Sequence, residues 1–118
     1  MLSRSHRFHG YGSLRRAYSQ GQTVRGSLLS LRYASRPATK PYRVAVVVSK
    51  KVNKSAVIRN RIRRRVYESV RHFENVPQNT DLIFTVFSDQ LVNTEDIKLK
   101  SQVSELLEKA AIQQKKSA

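Results

Sequence analysis

Between Arg59 and Arg65 the chain reads RNRIRRR, five arginines and one asparagine around a single isoleucine. Such a run has almost nothing to bury, so the apolar residues around it must hold it in place. Placed 100° apart, Ile58, Ile62, Val66, Val70 and Phe73 fall within about 120° of arc, the width of a core-facing helical stripe. Asn60, Arg64, Tyr67 and Arg71 then lie on the far side, with Arg61 and Arg65 along one edge of the stripe and Arg63 along the other. Ser55 is the expected N-cap, and the helix should run to about Phe73. A rigid element with cations around most of its exposed circumference suits a polyanion with regularly spaced phosphates.

The charge along the chain sharpens that reading. Residues 1–67 hold seventeen Lys or Arg and no acid, whereas residues 68–118 hold six Lys or Arg against eight Asp or Glu. Self-repulsion on this scale works against a compact state unless an anion offsets it, so it argues for a partner, nucleic acid first. If six phosphates were neutralised, affinity would fall with salt at a log-log slope of roughly −4 to −5. A solvated basic face or a localisation signal is the plainer reading of the same run. Arginine's planar fork, which pairs bidentately with phosphate, and the insertion of Asn60 count against it.

With 118 residues, one domain over 1–118 is expected, its ordered core spanning about 8–111. The absence of cysteine removes disulfides and thiolate metal sites. No run approaches the roughly 18 apolar residues of a membrane span, so no membrane partner and a soluble protein are expected. Residues 1–40, rich in Arg and Ser, also look like a transit peptide. The strand-like Leu28, Leu29, Leu31 and Tyr33 favour a mature domain with its first half dozen residues loose.

Ser13–Gln20 can form a short helix closed by Gly21 in a left-handed conformation, its start weakened by Gly10 and Gly12. Val24–Ser35 reads as one half-buried strand, with Leu29, Leu31 and Tyr33 on one side and Ser30 and Arg32 on the other. Two prolines mark the turn at 36–41, and Tyr42–Ser49 (YRVAVVVS), the most β-branched run, reads as a central strand. After the arginine-rich helix, Pro77 and Asn79 end the unit and Asp81–Ser88 is a buried strand. Thr94 is the expected N-cap of a last amphipathic helix carrying Leu99, Val103, Leu106, Leu107 and Ala110, with Lys115 and Lys116 in a frayed tail. The resulting fold class is an α+β two-layer sandwich, order α-β-β-(β)-α-β-α, with a mixed sheet of about four strands.

The first half offers no carboxylate for acid–base or metal chemistry, and His6, His9 and His72 lack metal-site spacing. No nucleotide loop or Ser/His/Asp arrangement is visible, so no catalytic residue, protein-held metal or small-molecule substrate is assigned. The chain reads as a binding protein.

The run VSKKVNKSAVIRNRIRRRVYESVR, residues 48–71, resembles the signature of the bacterial ribonuclease P protein subunit: a strand ending Ser-Lys-Lys, a short loop, then Arg-Asn-Arg opening a basic helix. The likeness extends more weakly from about Phe8 to Ala111. It implies a ribosomal protein S5 domain 2-like fold with a left-handed βαβ crossover, against the usual right-handed rule. It also implies that a large RNA subunit removes the 5′ leader of precursor tRNA with Mg2+ held mainly by RNA and substrate, in the cytoplasm. The protein's implied partners are that ribonuclease P RNA and the leader. The implied RNA-binding residues are Lys50, Lys51, Lys54, Arg59, Asn60, Arg61, Arg63, Arg64, Arg65 and Arg71, with Arg61 and Arg65 toward the catalytic RNA. The implied leader cleft takes Leu14, Tyr18, Arg32 and Val47, with Asn60, Arg64 and Tyr67 on its substrate side. Leu14 stands where an aromatic residue is frequent, and Tyr67 where a basic one is. A structural RNA-binding protein, such as a ribosomal component, would need the same helix without a cleft.

Overall fold

The computed structural model describes residues 6, 8, 11–36, 41–73, 76 and 79–117. Its elements in order are α1 (Tyr11–Gln20), β1 (Gln22–Arg25), β2 (Leu29–Ser35), β3 (Arg43–Val47), α2 (Ala56–Arg71), β4 (Thr80–Val86), a 3₁₀ turn (Asp89–Val92) and α3 (Asp96–Ser117). The strands form one mixed sheet in the order β1-β2-β4-β3. β2 is antiparallel to both β1 and β4, whereas β3 runs parallel to β4, with α2 as the crossover between them.

The core lies mainly on one side of this sheet. Leu29, Leu31 and Tyr33 of β2, Val44 and Val46 of β3, and Leu82, Phe84 and Val86 of β4 meet Ile62, Val66 and Val70 of α2 and the α3 stripe from Leu99 to Ala110. Each large side chain so buried contributes about 1.5 to 3 kcal/mol. The other side is covered in part by α1, whose Ala17 packs on Ala34 and Ile83. Leu14, Ala45, Val47 and Phe8 border this second cluster, and among the described residues Arg25, Thr85 and Val47 on that side keep contact with water.

Several local expectations change. Val24–Ser35 is a hairpin, not one strand: the chain reverses at Gly26, whose N–H donates to Leu29 O at 2.9 Å. A Cβ on Gly26 would lie 2.9 Å from that same carbonyl oxygen, so glycine permits the reversal. β2 is buried on both sides, because α1 covers the side assigned to solvent. Tyr42–Ser49 supplies an edge strand. β4, which carries Leu82, Ile83 and Phe84 at 0% exposure, takes the centre instead. The valines of β3 mark a single side buried beneath α2, which its alternating burial records.

Gly21 is required for close packing and not for a left-handed turn, since a Cβ there would meet Ala17 O at 2.5 Å and Tyr33 O at 2.8 Å. Thr94 does not cap α3; its hydroxyl donates back to Gln90 O at 2.8 Å and closes the 3₁₀ turn. α3 continues through Ser117, so Lys115 and Lys116 stand on its last turn. Ser55 does cap α2, its Oγ accepting from Ile58 N at 3.3 Å. Gly10, Pro77 and most of the turn at 36–41 lie outside the described residues.

Beside the α1 side of the sheet, Asp81 is buried and accepts from Arg43 Nε at 2.8 Å and Nη2 at 2.9 Å, with Arg36 Nε at 3.5 Å. Phe8 caps the cluster, its ring centroid 4.7 Å from the Arg43 guanidinium carbon. His6 Nδ1 meets Tyr42 O at 2.9 Å, and its ring stacks on Tyr42.

Candidate RNA-binding surface

Four of the six arginines of α2 have partners within the protein, and this divides the cluster. Arg65 turns into the protein: its guanidinium donates to Leu91 O at 2.5 Å, to Thr94 O, and to Asp96 Oδ1 at 2.9 Å. It thereby ties the 3₁₀ turn and the start of α3 to α2. Arg59 Nη1 donates to Asn53 O at 3.0 Å and Lys54 O at 2.9 Å, fixing the loop before its own helix. Arg63 donates to Asn60 Oδ1, three residues back. Arg71 lies 3.5 Å from Glu68, and His72 lies at the same distance from that carboxylate.

Among the described residues, Arg61, Arg64, Lys50, Lys51 and Lys54 are exposed and make no hydrogen bond or ion pair. The loop carrying the three lysines is ordered by Asn53. Its Oδ1 accepts from Ser55 N at 2.8 Å, and its Nδ2 donates to Asp89 Oδ2 at 3.1 Å. The sequence placed all ten residues in one group; the fold leaves five of them as free cations.

The cleft residues fall into two places. Leu14 is half-buried against Ala17, Ala34 and Ile83, so packing is its first task. Tyr18 leaves 39% of its surface exposed, while its carbonyl oxygen accepts from Arg32 Nε at 2.5 Å. Arg32 Nη1 also donates to Thr23 Oγ1 at 2.8 Å, so Arg32 ties the end of α1 to the sheet. Val47 borders the same side at the β3 edge. Tyr67 stands past that edge, where the Val46 N–H donates to its Oη at 3.3 Å. This satisfies an edge N–H that β4 does not reach, and leaves the phenolic proton free to donate. Asn60 and Arg64 follow on the exposed side of α2.

Among the described residues no three His, Cys, Asp or Glu gather as a metal site would require. No helix among them is long and apolar enough to cross a membrane. The arrangement is a cationic helix and loop next to an open, partly aromatic sheet surface, which suits a flexible polyanion with bases to stack.

The family model for ribonuclease P matches residues 2–111. The chain belongs to the ribonuclease P protein family. The ribonuclease P protein component of Synechococcus sp. strain WH7803 is 31% identical over 112 residues, covering 93% of this chain and 84% of that protein. That of Clostridium botulinum strain Langeland is 39% identical over 101 residues, covering 83% and 87%. In fold, the chain matches the Staphylococcus aureus RNase P protein at a TM-score of 0.75 and 20% identity, over 89% of this chain and 94% of that one. The two chains thus share a fold.

Proposed function

We propose that this chain is the protein subunit of a bacterial-type ribonuclease P, binding the catalytic RNA and the 5′ leader of precursor tRNA during tRNA 5′ maturation. The observation that carries this reading is the adjacency of two unlike surfaces: the free cations of α2 and the loop before it, and the open side of the sheet beneath α1. Arg61 with Lys50, Lys51 and Lys54 forms the face for the ribonuclease P RNA. Asn60, Arg64 and Tyr67 lead from it across the β3 edge toward Tyr18, Arg32 and Val47, where the leader lies. Stacking on Tyr18 tolerates any base, as a protein serving many leaders requires.

Family membership supports the same role. The chain acts as a subunit of a ribonucleoprotein endoribonuclease and supplies no catalytic group. Its free cations would repel a divalent ion, so Mg2+, which would supply charge stabilisation in the cleavage, would be held by the RNA and substrate. The protein's work is to neutralise phosphates, hold the leader and favour precursor over product. The tRNA it serves places it in the cytoplasm.

The test is cleavage of a 5′-extended precursor tRNA by the cognate ribonuclease P RNA at low magnesium, with and without the protein. Stimulation that disappears in an Arg61→Ala, Arg64→Ala double variant is expected. Salt-sensitive RNA binding without stimulation would overturn the reading in favour of a structural RNA-binding protein.

A further inference from the structure

Lys50 and Lys51 stand at the corners of a tight turn, which the Val52 N–H closes by donating to Ser49 O at 3.0 Å. Val52 then packs against the main core, and Lys54 follows just before the Ser55 cap of α2. A loop this polar buries little of its own, so the pose of its lysines depends on what fixes the residue between them. Asn53 is that residue, and three of its groups are engaged. Its Oδ1 accepts from Ser55 N at 2.8 Å, its backbone oxygen accepts from Arg59 Nη1 at 3.0 Å, and its Nδ2 donates to Asp89 Oδ2 at 3.1 Å.

The first two contacts are local to the start of α2, whereas the third spans 36 residues. Asp89 opens the 3₁₀ turn, where Ser88 Oγ accepts from Gln90 N at 3.1 Å and Leu91 is fully buried. The carboxylate is therefore fixed on the body of the protein, and the Asn53 amide ties the loop to it. A carboxylate is an odd neighbour for three lysines meant to meet phosphate. None of the three pairs with it; the neutral amide takes it instead. Binding through a loose loop must include the cost of ordering that loop, which a loop fixed beforehand avoids.

We propose that Asn53 and Asp89 form a latch that sets Lys50, Lys51 and Lys54 for the ribonuclease P RNA, so that a carboxylate strengthens the binding of RNA. The proposal rests on the reading that these lysines face that RNA. Asn53 and Asp89 are positioning residues, and their effect passes through the lysines. The sign of the effect separates the latch from simple charge. Asp89→Ala removes a negative charge, which alone would tighten RNA binding. Through the latch, the same change weakens it.

The experiment measures the affinity of the full chain for the cognate ribonuclease P RNA at fixed salt, together with amide hydrogen exchange across residues 50–55 of the free protein. Asn53→Ala and Asp89→Ala are each expected to weaken binding about three- to tenfold and to speed exchange in the loop. The double variant should bind no more weakly than Asn53→Ala, because both changes remove the same contact. Asp89→Asn, whose amide oxygen can still accept from Asn53, should keep the slow exchange and bind at least as tightly as wild type. Should Asn53→Ala fail to fold, the two Asp89 variants decide, since Asp89 is exposed. Tighter or unchanged binding in Asp89→Ala would overturn the latch, as would weakened binding with unchanged exchange, or losses that multiply in the double variant. Replacing Lys50, Lys51 and Lys54 together by alanine should lower the magnitude of the log-log salt slope by about 2 to 3. An unchanged slope and affinity in that triple variant would instead overturn the lysine face on which the latch rests.

Discussion

Replacing Arg65 by alanine is expected to lower the stability of the fold by about 2 to 3 kcal/mol while leaving RNA affinity nearly unchanged. The magnitude follows from what the guanidinium holds. Its side chain is 20% exposed, whereas its acidic partner Asp96 is 81% exposed, so the ion pair is close to a surface pair and contributes at most about 1 kcal/mol. The larger share belongs to the carbonyl oxygens of Leu91 and Thr94, which accept from a charged donor and close the turn that seats the fully buried Leu91. A charged hydrogen bond of this kind contributes about 1.5 to 3 kcal/mol, reduced here because water can replace part of it.

Urea unfolding reads the loss as a midpoint shift of about 1 to 2 M. Arg65→Lys keeps the charge but lacks the fork that spans three acceptors, so it should recover less than half of the shift. The salt slope for ribonuclease P RNA should match wild type in both variants. A wild-type urea midpoint in Arg65→Ala, together with a reduced salt slope, would refute this reasoning and return Arg65 to the RNA face.

Asp81→Asn should cost about 3 to 5 kcal/mol, because it leaves Arg43 and Arg36 together without their buried counter-charge; a urea midpoint equal to wild type would contradict this. Burial raises the pKa of the Tyr42 phenol above its ordinary value. The unfolded chain therefore loses that proton first as pH climbs past about 10, so the stability is present below that pH and drains away above it. Tyr42→Phe should flatten the alkaline limb of the stability curve, and identical limbs would rule the mechanism out.

The helices were largely legible because their apolar stripes and the Ser55 cap are local signals. Strand order was not. Tyr42–Ser49 carries the strongest β-branched signal yet lies at the edge, because its valines report burial under α2 and say nothing about how many strands flank it. The hairpin at Gly26 was missed for lack of a turn pair such as Asn-Gly, its reversal resting on one glycine close to a carbonyl. Within the site, residue type identified the arginines, but their partners come from distant parts of the chain. Arg65 meets Leu91 and Thr94, 26 and 29 residues away, and no spacing rule announces that contact. Phe87, which follows β4 and leaves 46% of its surface exposed, was absorbed into a buried-strand pattern; the alternation running from Ile83 was the signal that would have set it apart.

The same partition changes what the charge means. The sequence offers nine cations to RNA in the loop and α2, and if all nine met phosphates the log-log salt slope would be about −6 to −8. Arg59, Arg63, Arg65 and Arg71 have partners inside the protein, which leaves Lys50, Lys51, Lys54, Arg61 and Arg64. Five contacts give a slope of about −3.5 to −4.5. The arginines with partners serve the fold instead, fixing the loop and holding α2 against α3. A slope near the lower magnitude would mean that the fold, and not the count of basic residues, decides how many phosphates this helix neutralises.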